Sequence, residues 1–156
     1  MSSTGVEKIR YAHTNLVAKD WRKMADFYVR VFGCERVSSE RDNSGPQCDA
    51  LTALPGAHIR GQHLRLPGHG EGGPTLEVFQ FDPNEPNDPR ILNRPGFAHI
   101  AFEVEDVASK REQVIAEGGC DLGQLVTIDI PGAGRLTLIY MRDPEGNIVE
   151  LQRWHR

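Results

Sequence analysis

Sliding the chain along itself by 86 positions lays Ala98-His99 on Ala12-His13, Asp106 on Asp20 and Gly119-Cys120 on Gly33-Cys34, with Phe97 meeting Tyr11. These are five identities in 24 gap-free positions, residues 97–120 against 11–34. They fall where a strand, a helix start and a helix end are each expected, so their placement says more than their number. A chain with this pattern is expected to fold as two copies of one half-domain, each presenting a histidine at the same place in its first strand.

The first copy alternates like a strand from Ile9 to Val17, with Tyr11, His13, Asn15 and Val17 on one side. Asp20 suits a helix N-cap, where its carboxylate accepts from free amides of the first turn. Trp21, Met24, Phe27, Tyr28, Val31 and Phe32 follow at helical spacing, and Gly33 is placed to end the helix in the left-handed conformation. Residues 35–40 read as a strand, 41–57 as turn-rich, 58–66 as a strand, 67–74 as a loop or hairpin tip, and 75–81 as a strand. Residues 82–95 carry four prolines and no periodicity, which reads as a linker.

The second copy repeats the order. Residues 96–105 form a strand with Phe97, His99, Ala101 and Glu103 on one face and Ala98, Ile100, Phe102 and Val104 on the other. Asp106 caps a helix closed by Gly118-Gly119, and strands are expected near 121–130, 135–141 and 147–154. Asp143-Pro-Glu-Gly146 reads as a turn. Each half is therefore β-α-β-β-β, and the whole is α+β. One domain over 1–156 divides into modules at about 9–81 and 96–154. Two such modules can bury their helices on a convex side and curl their other faces around a shared cleft.

A formal charge of −4 and the lack of a basic block argue against nucleic acid as partner. No apolar run approaches the ~20 residues of a membrane span, and residues 1–8 have no apolar signal region. Cys34, Cys48 and Cys120 are odd in number and lack CxxC spacing, so a disulfide framework and a thiolate zinc site are both unsupported, and a reduced cytoplasm is the expected compartment.

Four polar side chains stand on strands that are otherwise apolar. His13 and His99 occupy equivalent positions, Glu77 lies between Leu76 and Val78, and Glu150 between Val149 and Leu151. A carboxylate among strand apolars is costly to bury unless something pairs with it. Two imidazoles and two carboxylates related by an approximate two-fold suit a divalent first-row ion, whether Zn, Ni, Co, Mn or Fe(II).

The segments Tyr-Ala-His13-Thr, Leu-Glu77-Val, Phe-Ala-His99-Ile-Ala-Phe and Asp143-Pro-Glu-Gly-Asn-Ile-Val-Glu150-Leu resemble the vicinal oxygen chelate superfamily of glyoxalases, bleomycin resistance proteins and extradiol dioxygenases. The resemblance runs from residue 9 to 154. It implies two tandem βαβββ modules forming a curved mixed sheet around a metal-binding cleft, with helices on the convex side. It also implies His13, Glu77, His99 and Glu150 as metal ligands, an arrangement most like bacterial glyoxalase I. Activity of that type, lactoylglutathione lyase-like, stabilises an enolate of a small 2-oxo or thioester-type substrate, with Glu150 as the catalytic base and Glu77 as its counterpart. The residues themselves do not separate the two glutamates. Other readings within the resemblance are an Fe(II) extradiol dioxygenase, a methylmalonyl-CoA epimerase-like enzyme and a metal-free drug-sequestering protein. A homodimer is the expected assembly.

The first module carries the longer insert, 43 positions from Cys34 to Glu77 against 30 from Cys120 to Glu150. Its Arg60, His63, Arg65 and His69 are candidates for holding an anionic substrate tail, or else a solvated basic hairpin. Phe79, Phe81, Tyr140 and Trp154 are candidates for lining the cleft or for plain core. Cys34 and Cys120 read as small packing residues.

Overall fold

A computed structural model describes residues 7–86 and 88–156. The first module runs β1 (His13–Val17), α1 (Trp21–Phe32), β2 (Glu35–Arg36), β3 (Arg41–Asn43), α2 (Pro46–Thr52), β4 (His58–Arg65) and β5 (Thr75–Asp82). The second runs β6 (His99–Glu103), α3 (Val107–Ala116), β7 (Cys120–Asp121), β8 (Val126–Ile130), β9 (Gly134–Arg142) and β10 (Ile148–His155). No helix among the described residues is long and apolar enough to cross a membrane.

Helix α1 starts and stops for the reasons its sequence suggests. Asp20 accepts from the Lys23 amide, and Gly33, at φ 69°, sends its amide back to the last turn. Trp21, Met24, Phe27, Tyr28 and Val31 are almost wholly buried, each side chain contributing about 1.5–3 kcal/mol by leaving water. Asp106 caps α3 in the same way, accepting from the Ser109 amide.

The two sheets have one topology. The first is ordered β1-β5-β4-β2 with β3 also on β4, and the second β6-β10-β9-β7 with β8 also on β9. In each, the first strand of the module lies parallel to the last. The even-numbered side chains of β5 and the odd-numbered ones of β9 and β10 (Leu76, Val78, Ile139, Met141, Val149, Leu151) join the helices in one apolar core that spans both modules. Phe32 of α1 stacks on Phe102 of β6 at 4.0 Å between ring centroids, and the Lys110 ammonium of α3 donates to the Val31 carbonyl. The curved sheet is thus two separate five-stranded sheets sharing a helical layer.

The structure corrects three readings. The turn-rich stretch 41–57 holds β3 and α2. That helix has seven residues, begins at Pro46 after Gly45 at φ 97°, and buries only Cys48, so no periodic apolar stripe marks it. The strand expected over 35–40 is broken: Arg36 faces Leu64 and Arg41 faces Gly61, so five steps along the chain cover three along β4. The strand expected over 121–130 breaks identically, with Asp121 facing Met141 and Val126 facing Leu138. The amides that enter the two breaks correspond as well, Val37 donating to His63 and Leu122 to Tyr140. The repeat therefore extends to its bulges, where no sequence identity survives.

Candidate metal centre

Strand register explains why particular side chains meet. In the first module Glu77 faces Asn15 on β1 and His63 on β4, and His13 faces Thr75, two residues before Glu77. All five side chains then share the face turned away from the helices. The His63 Nε2 lies 2.6 Å from Glu77 Oε2, and the His13 Nε2 3.7 Å from Oε1. The Asn15 amide donates to Oε1 at 2.8 Å, and His63 Nδ1 lies 2.8 Å from the Thr75 hydroxyl. Among the described residues, His13, His63 and Glu77 are the one set of three metal-ligating side chains whose donor atoms all fall within 4.8 Å of one another. Burial lowers the pKa of His63 and the positive charges of His13 and Arg41 push the same way, while Glu77 opposes them.

The second module repeats the register with different neighbours. Glu150 faces Ala101 and Tyr140, and His99 faces Ile148, again two residues before the glutamate. His99 Nε2 is 3.0 Å from Glu150 Oε2, and the Tyr140 ring stands edge-on to the His99 ring at 5.0 Å. The Tyr140 hydroxyl pKa is raised by burial, and the Glu150 charge and hydrogen bond add to that. Glu150 itself is 8% exposed, so the interior of the strand holds a carboxylate whose partner is an imidazole.

The four residues singled out from the sequence are thus gathered as two pairs, His13 with Glu77 and His99 with Glu150. Of these four, His99 lines a cavity of about 440 Å³ between β1 and β6, together with Asn15, whose amide holds Glu77. The donor set of the first pair fits a divalent ion. Two imidazole nitrogens and a carboxylate converge, and the 2.6 Å contact between His63 and Glu77 needs a proton between its two acceptors, a place that a cation can take instead.

Arg60 pairs with Asp82 and Arg65 with Glu35, as in a solvated basic hairpin. The reading of both cysteines as small packing residues holds for one of them. Cys34 is buried, its thiol pushed up to about 12 by burial, but Cys120 is exposed. Phe79 and Phe81 pack on a small cluster of Cys48, Ala57 and Ile59. His63, placed among the basic hairpin residues by its neighbours in sequence, instead faces the glutamate. Only the pairing of β4 with β5 reveals this, because the length of the intervening loop does not set the register.

Comparison with known proteins places this architecture. The family model described as the glyoxalase/bleomycin resistance protein/dioxygenase superfamily matches residues 10–151. No curated protein matches the sequence. Among solved structures, a glyoxalase family protein from Bacillus cereus is 18% identical with a TM-score of 0.82, covering 99% of this chain and all of that one. A glyoxylase/bleomycin resistance protein/dioxygenase domain from Frankia sp. EAN1pec is also 18% identical, with a TM-score of 0.58 over 96% of this chain and 100% of that one. A family enzyme from Burkholderia phytofirmans PsJN is 14% identical, with a TM-score of 0.57 over 92% and 98%. At these identities the structures speak for the fold alone. The family model covers nearly the whole chain, and the chain belongs to the glyoxalase/bleomycin resistance protein/dioxygenase superfamily, the vicinal oxygen chelate group.

Proposed function

We propose that this protein is a metal-dependent isomerase or lyase of the glyoxalase I type, which moves a proton on the carbon next to a carbonyl of a small 2-oxo or thioester-type substrate. One observation carries the reading: the same imidazole–carboxylate pair stands at the same register in both modules. His13, Glu77, His99 and Glu150 are the candidate ligands. A bound divalent ion supplies Lewis-acid polarisation of two neighbouring substrate oxygens. The chain's own part is proton transfer. A glutamate carboxylate takes the proton from the carbon α to the carbonyl, the C–H electron pair moves toward the carbonyl oxygen, and the same carboxyl returns the proton to the former carbonyl carbon while the hydroxyl proton of the first carbon passes to the neighbouring oxygen. The cavity has the size expected for a small molecule.

The test is metal removal. Protein dialysed against a chelator is expected to lose conversion of 2-oxoaldehyde–thiol adducts, with glutathione or another thiol, and to regain it with Zn, Ni, Co, Mn or Fe(II). Stripped protein that keeps full turnover would sink the proposal.

The working unit in this reading is a homodimer. Ile9, Tyr11 and Phe97 are 86%, 61% and 108% exposed, and Tyr11 and Phe97 are equivalent positions of the repeat. Exposed apolar side chains related by an internal two-fold suit an isologous contact with a second copy. Sedimentation equilibrium is expected to give twice the chain mass of 17.4 kDa, falling toward one chain on Phe97→Ser. A parent protein that sediments as a monomer at micromolar concentration would contradict it.

A further inference from the structure

Beyond its glutamate, the same sheet face is closed in one module and open in the other. In the first module Phe79 and Phe81 follow Glu77 on its side of β5 and meet Gly61 and Ile59 of β4. The chain covers this surface itself, because Cys48 of α2 and Ala57 bury against Ile59, Phe79 and Phe81. The second module has no counterpart of α2: β8 ends at Ile130 and β9 begins at Gly134. There Gln152 and Trp154 follow Glu150 on its side of β10 and meet Leu138 and Leu136 of β9, which in turn meet Val126 and Ile128 of β8. Leu136 is buried, Leu138 and Trp154 are half-buried, and Val126 and Ile128 are each 43% exposed. At the equivalent places of its own edge strand the first module has Arg41 and Asn43. Exposed apolar side chains thus stand where the repeat has polar ones, on the face that holds a candidate catalytic carboxylate.

We infer that the wall formed by Leu138, Trp154, Val126 and Ile128 receives an apolar group of the substrate, which is therefore a 2-oxo or thioester-type compound carrying an alkyl chain or an aromatic ring. The inference rests on the proposed reaction and specifies its substrate. Two observations name the occupant. The repeat shows what this surface takes, since in the first module an apolar piece of chain lies on it. The wall is also continuous with the proposed base, because Leu138 and Gln152 come next on the face after Tyr140 and Glu150. At about 3.3 Å per residue, the level of Leu138 and Val126 lies ~7 Å from Glu150 and that of Trp154 and Ile128 ~13 Å. A methyl group on the reacting carbon reaches neither level, whereas a tail of about six carbons spans the ~7 Å to the first.

Calorimetric binding of pyruvate and 2-oxooctanoate to the protein as purified tests this without turnover. The longer acid is expected to bind about 100-fold more tightly, since each fully buried methylene is worth about 4-fold. Val126→Arg and Ile128→Asn, which carry the first module's residues into the second, are expected to cut that ratio to about 10-fold or less. Leu51→Ser, on the exposed side of α2, should keep the parental ratio. Methyl NMR of the unmutated protein checks the place independently of any variant's folding: 2-oxooctanoate should move the signals of Val126, Ile128 and Leu138, and pyruvate should not. Equal affinity for the two acids, or failure to bind either, in a protein that converts 2-oxoaldehyde–thiol adducts overturns this inference alone. A preference for the longer acid that leaves these methyl signals unmoved does the same. If Ile128→Asn splits a dimer of the parent chain, a second copy covers the wall and the inference falls. A preference read out at these methyls in a protein that converts no such adduct upholds the wall and removes the proposed reaction.

Discussion

Glu150→Gln is expected to lower turnover by about 10²–10⁴-fold, the usual worth of a positioned general base, while the protein keeps its metal. Gln has nearly the same shape, so the packing of Val149 and Leu151 into the core is retained, and its amide oxygen can still accept from His99. What is removed is basicity. A carboxylate on the ion has its proton affinity lowered by the cation, so one that serves as base must stand off the ion when substrate arrives. Glu150 is 8% exposed, and its one ion-pair partner is His99 at 3.0 Å. Glu77→Gln is the contrasting variant: it removes the anionic ligand, so the loss of activity should come with loss of bound metal. The measurements are kcat, metal content by elemental analysis, and exchange of the substrate α-proton with deuterated solvent. Undiminished turnover in Glu150→Gln would remove the base assignment. Equal loss of metal in both variants would place Glu150 on the ion instead.

Local chemistry made much of the fold readable in advance. Asp20 and Asp106 are N-caps because a short carboxylate before an apolar stripe has few other uses, and Gly33 takes the left-handed angle expected of a residue ending α1. Glu77 and Glu150 stood out because charge inside an apolar strand demands a partner, and each has one. What stayed hidden depended on pairing between distant segments. His63 belongs to the candidate centre through its register with Glu77, and the loop between β4 and β5 gives no count that fixes that register. The breaks at 37–40 and 122–125 are likewise properties of two strands at once. Helix α2 was missed for a different reason, since seven residues with one buried side chain show no period.

Asp143→Ala is expected to destabilise the fold by about 3 kcal/mol, because a buried acceptor is lost while its donors remain. The Tyr28 hydroxyl of α1 donates to Oδ2 at 2.9 Å, the Asn147 side chain donates to both oxygens, and the amides of Glu145 and Asn147 donate to Oδ1. Burial pushes the Asp143 carboxyl up, and these donors pull against it. The bond from Tyr28 matters beyond its own energy, since it ties the first module's helix to the turn that leads into β10, the strand that carries Glu150. The neighbouring Glu145 carboxylate extends the tie by accepting from the Lys19 and Asp20 amides at the start of α1. Urea unfolding of Asp143→Ala, Tyr28→Phe and the double variant isolates the contact between modules. If the contact couples them, the double variant should cost clearly less than the two single effects added together. Strict additivity, or an Asp143→Ala loss below about 1 kcal/mol, the size of one ordinary hydrogen bond, would mean that the apolar core around Phe32 and Phe102 docks the modules without this polar link.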